Sequence, residues 1–108
     1  MNAKDLMIGD WVLFCGSEYH ITKADFTANY EFEPIPLTPK ILEKNKFLED
    51  SNGIFYLKEN LKFGLKKDID YGYWFIHRSD NEYICTCDFV HELQHLLKLC
   101  KIEKEIVL

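Results

Sequence analysis

Alternation of apolar and polar positions dominates the first three quarters of the chain, and helical spacing replaces it near the end. Residues 11–15 (Trp-Val-Leu-Phe-Cys) and 19–22 (Tyr-His-Ile-Thr) flank Gly16-Ser17 and predict a hairpin. Tyr30 and Phe32 alternate with Glu31 and Glu33, which predicts a third strand over 30–33, ended by Pro34-Ile35-Pro36 because proline cannot donate to a ladder. Thr38-Pro39 is a helix start, with Thr38 as N-cap and Pro39 at the first helical position. Ile41 and Leu42 give that short helix an apolar side, and it ends near Asn45-Lys46. After the Asn52-Gly53 turn, residues 54–57 and 61–65 form a second predicted hairpin, and residues 73–76 and 83–85 a third, joined by Ser79-Asp80-Asn81. A last helix is expected over 88–100 with Asp88 as N-cap, followed by an apolar tail that returns to the sheet.

These elements predict a single α+β domain over residues 1–108. It is mostly antiparallel β, with SH3-like N-terminal strands and a β-meander, plus one short helix and one long C-terminal amphipathic helix. SH3-like barrels bind peptides or nucleic acids, so the fold alone does not choose a function. Composition narrows the choice. At 47% hydrophobic and 15% aromatic, the 108 residues can fill a core. A net charge of −5 argues against an electrostatic grip on nucleic acid and for a protein partner. No apolar run approaches the roughly 20 residues that span a bilayer, and the first residues lack the apolar stretch of a signal peptide. A cytoplasmic protein with reduced Cys15, Cys85, Cys87 and Cys100 is therefore expected.

The candidate chemistry lies in His91-Glu92-Leu93-Gln94-His95, which spells the zincin signature H-E-x-x-H. On a helix, His91 and His95 share a face and could hold zinc, and Glu92 could activate a metal-bound water. The helical wheel opposes this. Phe89, Leu93, Leu96, Leu97 and Cys100 form the core arc, while His91, His95 and Lys98 fall on the far side and Glu92 on a flank. A catalytic zinc needs a third protein ligand, and downstream only Cys100, Glu103 and Glu105 are offered. A structural zinc on Cys85, Cys87, His91 and His95 is the other metal reading. Only three residues separate Cys87 from His91, too few for the fold-back of a Cys2His2 finger. No glycine-rich phosphate loop and no nucleophile elbow occur.

Three blocks carry a family resemblance: residues 6–12 (Leu-Met-Ile-Gly-Asp-Trp-Val), residues 33–39 (Glu-Pro-Ile-Pro-Leu-Thr-Pro) continuing to Phe47, and residues 90–96 (Val-His-Glu-Leu-Gln-His-Leu). In this order the chain resembles a group of small uncharacterised proteins of gut Bacteroidales, often encoded in prophages and mobile elements. The resemblance implies a β opening, a proline-rich bend into a short helix, and a terminal amphipathic helix; it carries no activity. Its last block often has Gln and Asn where this chain has Glu92 and His95, which removes the general base and one ligand of the zincin pattern.

The leading expectation is a non-enzymatic protein-binding or adaptor module of a phage or mobile element, without a cofactor, that contacts a host protein or self-associates. Its expected surface is His91, Gln94, His95 and Lys98 on the last helix, with exposed aromatics near Trp74. The rivals are a zinc-dependent hydrolase using His91, His95 and Glu92, and a nucleic-acid-binding barrel-like domain.

Overall fold

The computed structural model describes residues 6–26, 30–70 and 72–108. Residues 1–5, on which the signal-peptide reading fell, and Tyr71, one of the aromatics beside Trp74, lie outside them.

The architecture is α+β and mostly β, as expected. Strands β1 (Trp11–Phe14) and β2 (Ser17–His20) form a two-stranded antiparallel sheet. Its turn is Cys15-Gly16 rather than Gly16-Ser17, since both residues take positive φ, 52° and 81°. A two-residue turn with two positive φ angles matches the twist of a hairpin. A 3-10 turn, Lys23–Phe26, follows. There the buried Asp25 accepts hydrogen bonds from Thr22 N, Thr22 Oγ1 and Tyr19 Oη, and the Thr22 backbone donor leads in holding its carboxyl below the usual range.

The third strand expected over 30–33 is reduced to one bridge between Leu13 and Glu33. Pro34 and Pro36 deny the ladder its next donors. Phe32 still turns inward and joins Leu6, Val12 and Ile21 in a small core beneath the hairpin.

Helix α1 (Pro39–Lys44) starts as expected, with Thr38 Oγ1 accepting from Ile41 N. Then come β3 (Leu48–Glu49), β4 (Ile54–Leu57), β5 (Asn60–Lys67), β6 (Tyr73–His77) and β7 (Glu82–Cys87), an antiparallel meander of five strands in chain order. The two later hairpins read from the sequence are thus present, and the short β3 adds an edge strand. On the inner face, Phe55, Leu57, Leu65, Tyr73 and Cys87 pack with Val90, Leu93 and Leu97 of helix α2 (Val90–Leu99). This core draws in Leu42 of α1 and Ile106 of the tail.

Helix α2 begins one residue later than the sequence suggests. Phe89, not Asp88, is its N-cap, because residues 35–37 hold the approaching chain extended. Leu37 N donates to Asp88 O, Val90 N donates to Ile35 O, and Pro36 bridges Phe89.

Candidate functional site

Hydrophobic faces position α2 against the sheet, but its other side is not left to solvent. Strand β1 and the residues before it dock there through Gly9, Asp10 and Trp11. The helix is therefore covered on both sides, which a wheel with one core arc does not anticipate.

Gln94 uses both ends of its amide on the docked strand. Its Oε1 accepts from Trp11 N at 2.8 Å and its Nε2 donates to Gly9 O at 3.0 Å. At the next residue, His95 Nε2 donates to Asp10 Oδ2 at 2.6 Å, and Met7 N donates to the same oxygen at 2.8 Å. Asp10 is fully buried. A buried carboxylate is costly unless hydrogen-bonded or paired; His95 and the Met7 amide compensate Oδ2, while Oδ1 has no hydrogen-bond partner among the described residues.

His91 does not lie on a solvated face: it is 7% exposed. Its ring stacks on Phe89 with centroids 5.9 Å apart and meets the His95 ring edge-on at 5.7 Å. Burial leads in pushing its pKa below the ordinary value, against the opposing pull of Glu92 and Asp10. A buried imidazole beside an Asp–His pair thus stays neutral at physiological pH.

Glu92 performs a backbone task. Its Oε1 accepts from Asp88 N at 2.9 Å and Phe89 N at 3.1 Å, satisfying donors at the helix entrance. Glu92 and His95 are thus oriented by hydrogen bonds within the protein, whereas His91 is held by ring contacts and its buried Nδ1 has no hydrogen-bond partner among the described residues. Among the described residues, no group of three or more His, Cys, Asp or Glu side chains is arranged to hold a metal ion. The residues present do not fit a zinc centre of either kind. Cys87 is fully buried among apolar side chains, Cys85 is half-buried, and burial raises both thiols above their ordinary range. Protonated, buried thiols pack as small hydrophobes and are poor ligands or nucleophiles. All four cysteines are free.

Lys98 is exposed, at the mouth of an open cleft of about 340 Å³ that it lines with Gln94, Trp11, His20 and Lys104. Trp74 is not among the residues lining that cleft: it is half-buried on the outer face of the meander, stacked on Tyr83 with centroids 5.1 Å apart and planes inclined by 18°. Its neighbours separate by strand alternation. Tyr73 is buried inside, its hydroxyl pushed up to about 12 by burial, and Phe75 packs against the same inner core. The five expected contact residues therefore divide: Gln94 and His95 hold the docked strand, His91 is buried beside them against Phe89 and His95, Lys98 faces solvent, and Trp74 belongs to the outer sheet face.

Asp10 and Trp11 are the site residues that the sequence reading missed. Trp11 also donates from Nε1 to Ile106 O at 2.7 Å, tying the tail to the same junction. Segments far apart in the chain meet here, residues 9–11 on one side of α2 and residues 35–37 at its entrance.

No family model matches the chain, and no curated protein and no solved structure is significantly similar to it. Among the described residues, no helix is long and apolar enough to cross a membrane.

Proposed function

We propose that this chain is a non-enzymatic protein-binding module and that its contact surface is the outer face of the five-stranded sheet, not the polar side of α2. One observation carries the reading: polar groups of H-E-x-x-H are turned into the fold, while Trp74 and Tyr83 form a stacked pair on the sheet face opposite the one that, among the described residues, packs against α1 and α2. Tyr83 and Ile84 are 49% and 51% exposed beside that pair. Half-exposed aromatics next to apolar surface are the composition of a protein interface. The module is cytoplasmic in this reading, in keeping with its free cysteines. It serves a phage or mobile element by contacting a host protein; that part rests on the three-block resemblance alone.

The test is a quantitative pull-down with the wild-type chain and Tyr83→Asp as parallel baits. A protein retained by wild type, lost with the variant, and bound again after purification supports the reading. Equal retention by both baits, or near-stoichiometric zinc in tag-free protein, contradicts it.

A further inference from the structure

The outer sheet face has a charge of its own. Register pairs Ile54 with Lys66, Lys66 with Trp74, Trp74 with Thr86, Gly64 with Ile76, and Ile76 with Tyr83, so these side chains share one side of the sheet. Strand alternation adds Lys62, and Arg78 lies there too, its guanidinium 3.9 Å above the Tyr56 ring. Gly64 keeps the centre flat: a Cβ there would come within 2.5 Å of Ile54 Cγ2 and 3.2 Å of Arg78 Cγ. Arg78 is paired with Asp50 at 3.2 Å. Among the described residues, no carboxylate pairs with Lys62 or Lys66. Lys62 and Lys66 thus add positive charge to this face of a chain whose net charge is −5.

Lys66 carries that charge across the neighbouring strand: its Nζ lies 5.6 Å from the ring centroid of Tyr83 on β7. Among the described residues, strand β7 ends the sheet order and has one strand neighbour, β6. Its unpaired edge offers main-chain donors and acceptors to a further strand. Edge, aromatic pair and lysine therefore lie together.

We propose that β7 and the outer face beside it dock an extended acidic peptide of a partner protein. The peptide adds as a strand to the β7 edge, sets acidic side chains toward Lys66 and Lys62, and covers Tyr83 and Ile84. This rests on the protein-binding reading above and names the partner's chemistry. A second copy of the chain fits less well, because antiparallel self-pairing of β7 about Cys85 sets Glu82 against Asp88 of the other copy. Single-stranded nucleic acid stacks on aromatics, but it has no peptide main chain to pair with the β7 edge.

The full chain, isotope-labelled, is titrated with three probes and followed by amide NMR shifts: a peptide alternating Glu and Tyr, the same peptide with Lys for Glu, and an oligo-thymidine strand. The Glu–Tyr peptide should shift β6 and β7 amides, weaken with salt, and bind at least about tenfold more weakly to Lys62→Glu/Lys66→Glu, whose unperturbed spectrum elsewhere certifies its fold. Equal binding of the lysine peptide, tighter binding of oligo-thymidine, or shifts of the same amides on simple concentration of the chain each overturn the proposal. So does a lack of response to every probe. If the Tyr83→Asp bait still loses a partner in that case, the protein-binding reading survives its chemistry; if it does not, both fall.

Discussion

The imidazole Nε2 of His95 lies 2.6 Å from Oδ2 of Asp10, a fully buried carboxylate 85 residues earlier in the chain. The contact joins the strand that opens the fold to the helix that nearly closes it. It also removes from His95 the nitrogen that a zincin reading requires. Around it, Gln94 and Trp11 hold the same two elements in register. The H-E-x-x-H segment is accordingly a latch between α2 and the N-terminal hairpin.

Gln94 is the first member of that latch to test. Gln94→Ala removes an acceptor for Trp11 N and a donor for Gly9 O in a part-buried junction. Unsatisfied buried backbone groups cost about 1–3 kcal/mol, so a loss of about 2 kcal/mol is expected in urea unfolding. Gln94→Glu keeps the acceptor but sets a carboxylate against the Gly9 carbonyl, and should not recover the wild-type midpoint.

Glu92 separates the latch from a hydrolase. As a capping residue it is partly replaceable by any acceptor: Glu92→Gln should cost less than about 1 kcal/mol, and Glu92→Ala about 1 kcal/mol or more. Zinc added to tag-free protein should leave the melting temperature of wild type and of both variants unchanged. A zinc-dependent rise, lost with Glu92→Gln, runs against this account.

His91 makes stability depend on pH. Its folded pKa is depressed, chiefly by burial, while the unfolded chain titrates near the ordinary value of about 6.5. Between those two values the unfolded state binds a proton that the native state refuses, so stability rises with pH across that window and falls on acidification. His91→Phe keeps the ring against Phe89 and removes the titration. Melting temperatures measured from neutral to mildly acidic pH should fall less steeply for the variant; parallel curves contradict the assignment.

Much of the fold was legible in local pattern. Thr38-Pro39 declared α1 because capping is a property of a few adjacent residues, and the hairpins over 54–65 and 73–85 declared themselves by alternation. What remained hidden was long-range. A helical wheel ranks faces by apolarity, so it placed His91 and His95 in solvent; it cannot see a second layer that arrives from residues 9–11 and makes polar groups the glue. The strand over 30–33 failed for the opposite reason: its pattern was right for Phe32, but a ladder needs a partner beyond Leu13, and the following prolines give none. The contact surface was half legible. Trp74 was singled out by aromatic density, whereas the side it occupies is fixed by register with Lys66 and Thr86.

The central claim, that the H-E-x-x-H segment is spent on holding the fold, is tested most directly by a double-mutant cycle in urea between Asp10→Ala and His95→Ala. Two groups bonded across the junction should show a coupling energy of about 1–3 kcal/mol, the double variant being far less destabilised than the sum of the two single ones. Effects that add to within about 0.5 kcal/mol would mean that Asp10 and His95 do not act on each other, and the latch would have to be abandoned.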